Sequence, residues 1–144
     1  MLLLSLREDF ARAIYAGAKR CELRKNRARV TTGERVLIYE TRPRAVISGE
    51  FIVEDARRAP IETLWRWIED SGVPREGFAR YFGTRKHGFA IKIRSAHRMH
   101  PEIRLQEAVR MDPNFRPPQS YAYLSPESPL IAFAESRLPA SESI

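Results

Sequence analysis

The sequence predicts one α+β domain in which a set of short strands carries helices on its flanks. Three observations point there. Runs of alternating or wholly apolar residues mark strands, segments of helical period interrupt them, and the 144-residue length suits a single core. A hydrophobic fraction of 43% with 30% charged residues is that of an ordinary globular chain rather than a disordered or fibrous one. We find no internal repeat and no long linker, so the expected domain is 1–138, followed by a frayed tail at 139–144.

Leu2 to Leu4 form the first expected strand. Ser5, Leu6, Arg7 and Glu8 then have the spacing of a capping box, with Ser5 as N-cap and Glu8 reaching back. Leu6, Phe10, Ala13 and Ile14 recur at helical intervals as one apolar stripe, and Gly17 is placed to end a helix of about ten residues. Arg20 to Arg24 alternates, which puts Cys21 and Leu23 on one face and Arg20, Glu22 and Arg24 on the other. Asn26 to Thr32 is basic and irregular. Val36 to Tyr39 is strongly β-prone, and its strand ends near Thr41, Arg42 and Pro43.

Ala45 to Asp55 reads as a further strand, with Val46, Phe51 and Val53 on alternate positions and Gly49 marking a bulge or a close backbone approach. Between Pro60 and Phe82 the period becomes helical. Ile61, Leu64, Trp65 and Ile68 form one stripe, while Phe78, Tyr81 and Phe82 mark a second short helix after Pro74. Trp65 fits the first stripe and belongs to the core, whereas Trp67 lies off it and is available to a partner. A basic turn with Arg85 and Lys86 leads into Phe89 to Ile93, another core strand. Leu105 to Met111 is either a short helix or an edge segment. Pro117 to Leu124 should lie extended against the body, and Ser125 with Pro126 should open a last helix over Leu130, Ile131 and Phe133.

Several function classes are excluded or disfavoured by composition. Cys21 is the only cysteine, so neither an internal disulfide nor a cysteine-based zinc site can form. His97 and His100 have no acidic or thiol partner at a ligand-like interval, and we expect no metal and no cofactor. The apolar start at Met1 to Leu4 runs at once into polar residues, too short for a leader core or a membrane span. A cytoplasmic chain with no membrane partner is the expectation; its oligomeric state is not legible. The net charge of +7, from 25 Lys and Arg against 18 Asp and Glu, favours polyanionic partners, although arginine-rich composition alone also occurs without such a role.

The richest segment is Gly17 to Arg24. Its Gly-x-Lys-x-x-Glu-x-Arg element, the strand Val36 to Thr41 and the strand containing Gly49, Glu50 and Phe51 resemble the ASCH family. Gly88 to Ile93 and Pro117 to Tyr121 are similar to the larger members of that family. The resemblance spans most of the chain. It implies a small PUA-like mixed β-barrel with a ligand cleft beside Lys19, Glu22 and Arg24, and an RNA or nucleotide partner in RNA metabolism or translation-linked regulation.

Residue chemistry agrees with that implication. Glu22 and Arg24 are two apart on a strand and face the same way, with Lys19 at the strand entrance. One carboxylate between two cations can hold a phosphate on the bases while the carboxylate accepts a hydrogen bond from a base or ribose. The same pattern also serves as a plain ion-pair cluster at a barrel mouth. Tyr39 and Thr41 either line this cleft, as a stacking surface and a hydroxyl, or pack in the core. Ser120 and Tyr121 either close the cleft from the far side or form part of a strap that seals the barrel. Arg27, Arg29, Arg42, Arg44, Arg85 and Lys86 lie in loops where long basic side chains can track a phosphate backbone.

Three readings follow: an RNA- or nucleotide-binding domain, a metal-independent hydrolase of RNA or of a modified nucleoside, and a protein-interaction domain. One ASCH branch hydrolyses acetylated cytidine with a lysine and a threonine nucleophile three residues later. Lys19 matches the lysine, but Glu22 stands where the threonine should be, so the nucleophile is missing there; Cys21 or Ser120 could in principle substitute, Cys21 poorly because alternation turns it into the core. Other ASCH proteins are linked to RNA cleavage. For that chemistry Lys19, Tyr39 and Ser120 are the candidate acid, base and phosphate-binding groups.

Overall fold

Six strands and five helices make up the computed structural model, which describes residues 1–139. The expected tail therefore lies, except for Pro139, outside the described residues. The strands are β1 (Leu2–Leu6), β2 (Cys21–Arg24), β3 (Arg35–Glu40), β4 (Val46–Pro60), β5 (His87–Arg104) and β6 (Tyr121–Tyr123). They form one sheet in the order β2-β5-β4-β3-β1-β6, curled into a half-barrel. The helices are α1 (Glu8–Tyr15), α2 (Ile61–Ile68), α3 (Arg75–Phe82), α4 (Leu105–Met111) and α5 (Pro129–Glu135).

β4 and β5 are the frame of the sheet. They pair as one long antiparallel hairpin from Val46↔Arg104 to Pro60↔His87, with α2 and α3 inserted at its end. β1 lies parallel to β3 and antiparallel to β6. β5 extends well beyond the alternating run at Phe89 to Ile93, because register shifts in β4 let the two strands keep pairing through an irregular polar stretch. Gly49 sits among those shifts. A Cβ there would lie 2.2 Å from the His97 carbonyl oxygen and 2.7 Å from the Tyr15 hydroxyl, so the glycine is required by close approach.

Side chains alternate across the sheet into three cores. Inside the curl, Leu2, Leu4, Val36, Ile38, Phe51 and Ile91 meet Ala11 and Ile14 of α1. On the outer face, α4 and α5 cover Leu3, Leu37, Tyr39, Ile47 and Ile103, while α2 and α3 cover Cys21, Leu23 and Ala90. Burying each of these leucines or isoleucines stabilises the fold by roughly 1.5–3 kcal/mol. Trp65 and Trp67 are both half-buried against this third core, and Trp67 carries Arg57 and Lys92 over its ring at 4.6 and 4.5 Å. That ring is engaged within the chain.

Local expectations differ at both ends. β1 continues through Ser5 and Leu6, so α1 begins after Arg7 with no side-chain cap; the Ser5 hydroxyl instead donates to the Pro118 carbonyl at 2.6 Å. Tertiary pairing of β1 with β3 overrides the capping signal there. Phe10 is 43% exposed rather than part of the buried stripe, which consists of Ala11 and Ile14. The last helix is capped by Ser128 with Pro129 following, not by Ser125, because residues 125–128 form a turn first. Leu105 to Met111 is the helix of the two alternatives.

Cys21 is fully buried and burial pushes its thiol up to about 12, from an ordinary 9.0. Native protein should therefore resist thiol alkylation until it unfolds. Between these two values the folded chain keeps a proton that the unfolded chain releases, so this group makes stability fall as pH rises through that window. Denaturant midpoints measured between about pH 8 and pH 10 should drop, and drop less in Cys21→Ala. An identical decline in the two proteins would rule the thiol out as its source.

Candidate nucleic-acid site

The helix-to-strand junction fixes Lys19. Gly17 takes a left-handed φ of 78°, and the amides of Ala18 and Lys19 both donate back to the Ala13 carbonyl. From the other side the chain at Ser71 and Gly72 presses on this turn. Arg20 N–H donates to Ser71 O at 2.8 Å, and a Cβ on Gly72 would overlap the Ala18 carbonyl. Lys19 thus leaves a turn braced by the loop between α2 and α3.

β2 then presents Glu22 and Arg24 on the same face as their β5 partners Ile91 and Phe89, toward the interior of the curl. Glu22 Oε2 lies 3.3 Å from Lys19 Nζ, and its Oε1 lies 3.7 Å from Arg24 Nε. Arg24 Nη1 donates to the Ser120 hydroxyl at 2.7 Å. Ser120 is anchored in turn, since its carbonyl accepts from Ser5 N–H at 2.9 Å. One carboxylate, two cations and an exposed hydroxyl form a continuous chain from α1 to the start of β6.

Burial in this chain is graded. The side chains of Glu22, Arg24 and Lys19 are 8, 12 and 16% exposed, while Ser120 is open to solvent. Within it, Arg24 Nε and Nη2 are buried and have no hydrogen-bond partner among the described residues. A guanidinium carries five donors, and buried donors without an acceptor are costly, so Arg24 retains unfilled capacity for an oxyanion. Two aromatic side chains flank the cluster. Lys19 Nζ lies 4.6 Å from the centre of the exposed Phe10 ring, which also carries Arg7 at 5.3 Å. Burial pushes the Tyr81 phenol up, and the Arg24 charge pulls it back down while Glu22 opposes that pull. Lys25 lies over the same ring at 5.3 Å.

The remaining sequence candidates fall elsewhere. Tyr39 lies opposite Ser5 in the sheet, with its ring in the outer core at 4% exposure, and burial raises its phenol. It is therefore on the other face from Glu22 and Arg24. Thr41 continues from that strand and donates its amide to the Leu6 carbonyl at 2.9 Å. Arg42 lines a separate hollow of about 690 Å³ together with Arg44 and Arg104. Arg44 is held by Glu40 and Glu102, the first a fully buried carboxylate. Arg85 and Lys86 line a hollow of about 310 Å³ with Lys25 and Arg27. Tyr121 follows Ser120 and donates its hydroxyl to the Arg27 carbonyl at 3.4 Å.

Sequence reasoning missed Phe10, Tyr81 and Ser5. Phe10 fits a helical stripe equally well whether it faces a core or two cations. No local signal places α3 beside β2. Among the described residues there is no cluster of three or more His, Cys, Asp or Glu that could hold a metal, and no helix is long and apolar enough to cross a membrane.

The comparisons with known proteins agree with one another. A model of the ASCH domain matches residues 4–108. Over 125 residues the chain is 30% identical to an ASCH domain-containing ribonuclease from Zymomonas mobilis, spanning 86% of this chain and 84% of the relative. It superposes on the crystal structure of ASCH from Zymomonas mobilis with a TM-score of 0.82 at 26% identity, covering 96% of this chain and 97% of that one. A serine-to-alanine variant of the Zymomonas protein superposes with a TM-score of 0.81 at 24% identity, covering 94% of each chain.

Proposed function

The chain belongs to the ASCH domain family, and from that premise we propose that it binds RNA at the cluster of Lys19, Glu22, Arg24 and Ser120. The observation that carries this reading is Arg24, a fixed guanidinium with unfilled donors next to an exposed hydroxyl. A phosphate at Ser120 would compete for the Arg24 Nη1 donor and, with a shift of the side chain, reach the unfilled ones. Glu22 then holds Lys19 and Arg24 in register and accepts from a ribose hydroxyl or base amino group.

Cleavage of the bound strand is the second reading, supported by the Zymomonas relative described as a ribonuclease. In such a reaction the ribose 2′ oxygen attacks the adjacent phosphorus, the bond to the 5′ oxygen breaks, and protons leave the first oxygen and reach the second. Arg24 and Ser120 would hold the non-bridging oxygens, Glu22 is the anionic proton acceptor of the cluster, and Lys19 is a proton donor. If a tyrosine takes part, Tyr81 fits better than Tyr39, whose ring is occupied in the outer core. Hydrolysis of an acetylated nucleoside is not supported. Cys21 is buried with its thiol pushed up to about 12, and Ser120 contacts an arginine rather than a base.

Incubating the purified protein with labelled single-stranded RNA, with and without Lys19→Ala, separates these readings. We expect salt-sensitive binding by the wild type and a ~100-fold slower cleavage in the variant, with affinity reduced less than the rate. Binding with no turnover in either protein would leave RNA binding as the whole function. No RNA affinity at low salt would reject both readings.

A further inference from the structure

The two edges of the half-barrel, β2 and β6, meet along a seam that begins at Arg24 and Ser120 and continues away from them. The Tyr121 hydroxyl donates to Arg27 O, and the Arg29 amide donates to the Tyr123 hydroxyl. Two hollows open along this seam. The smaller, of about 310 Å³, is lined by Lys25, Arg27, Arg58, Arg85 and Lys86, with His87 beside them. The larger, of about 850 Å³, shares Arg27 and Arg58 with it and adds Arg29 and Tyr123.

Charge here is not neutralised internally. Among the described residues, none of Lys25, Arg27, Arg58, Arg85 and Lys86 lies in an ion pair, whereas Arg24, Arg35, Arg44 and Arg98 elsewhere in the chain do. Arg85 is positioned by bonds to the Lys25 carbonyl and the Asn26 side chain, which leave its charge intact. Among the described residues the one carboxylate in the larger hollow, Glu34, accepts from the Thr31 amide. Tyr123 is 40% exposed, and Arg29 lies 5.3 Å from its ring centre. An accessible ring in a concave basic surface suits an unpaired base, which a paired strand does not offer.

We propose that these hollows form one groove for the flanking nucleotides of a single-stranded RNA, with phosphates on Arg27, Arg58 and Lys86 and one base stacked on Tyr123. This rests on the reading of the chain as an RNA binder. It adds where the strand leaves the Arg24 cluster and the expectation that single strands bind better than duplexes. Because Arg27 and Arg58 border both hollows, they are the residues through which a continuous backbone must pass.

The test is the salt dependence of affinity for a fluorescent single-stranded oligoribonucleotide, measured by anisotropy. Each phosphate contact to a single strand adds about 0.7 to the slope of log affinity against log salt, so Arg27→Ala with Arg58→Ala should lower that slope by about 1.4. Affinity at low salt should fall roughly tenfold or more. Removing two charges at Arg66 and Arg110, on α2 and α4, should leave the slope nearly unchanged. Tyr123→Phe should bind as wild type does and Tyr123→Leu roughly tenfold more weakly, while a duplex probe shows no such difference. Thermal melting of each variant confirms the fold. If the double variant keeps the wild-type slope and affinity while Arg24→Ala still weakens binding, the groove is wrong and the cluster stands. If the wild type binds no RNA, the functional reading falls with it.

Discussion

Replacing Arg24 by alanine should lower RNA cleavage by ~100- to 1,000-fold, the range seen when a preorganised donor to a developing oxyanion is removed, or RNA affinity by roughly tenfold if the protein only binds. The size follows from position. Arg24 touches both Glu22 and Ser120, and two of its buried donors have no hydrogen-bond partner among the described residues. Its loss also releases one bond across the seam, so stability should fall by about 1–2 kcal/mol. Arg24→Lys separates the two roles. It keeps a charge but not the planar fork that reaches carboxylate and hydroxyl together, so stability should be largely restored and activity only partly. Ser120→Ala releases the same bond, so it should reduce activity with a loss of stability no larger than that of Arg24→Ala. Near wild-type turnover in Arg24→Ala would remove the cluster from any account of function.

Gly49→Ala should destabilise the fold by about 3 kcal/mol, which corresponds to roughly 10 °C in melting temperature for a domain of this size. The added carbon would stand 2.2 Å from the His97 carbonyl and 2.9 Å from the Arg98 Cα, both backbone atoms of the neighbouring strand. Neither can move without opening the β4–β5 pairing. It would also stand 2.7 Å from the Tyr15 hydroxyl, which is hydrogen-bonded to Ser48 at 2.7 Å and overlain by Arg98. Gly77→Ala is the matched control. It lies in α3 with nothing within 4 Å of the new carbon, so the same substitution should stabilise by about 0.5–1 kcal/mol through helix propensity. Equal melting temperatures for the two variants would show that the approach at Gly49 is not tight.

Which parts of this molecule could be read from sequence depends on how local their cause is. Alternation put Cys21 and Leu23 on one face of β2 and Glu22 and Arg24 on the other, and a strand allows nothing else. Gly49 was legible because a glycine inside an apolar strand needs a reason. Ser5 was misread because the capping signal depends on four residues, while the pairing of β1 with β3 depends on residues more than thirty positions away. Tyr39 posed a problem of the same kind. The β-prone run identified its strand, but only the helices from the C-terminal third decide which face is core. Arg27 lies in the loop after β2 and Arg58 near the end of β4, far apart in sequence, and only the folded sheet brings them to one basic groove.

β1 takes both of its hydrogen-bonded neighbours from later in the chain, β3 on one side and β6, close to the C-terminal end of the described residues, on the other. Leu2 to Leu4 are made well before Tyr121 to Tyr123, and their second edge finds its partner only once that later segment is available. Until then one edge of this fully apolar segment stays unpaired, and such an edge invites pairing with another chain.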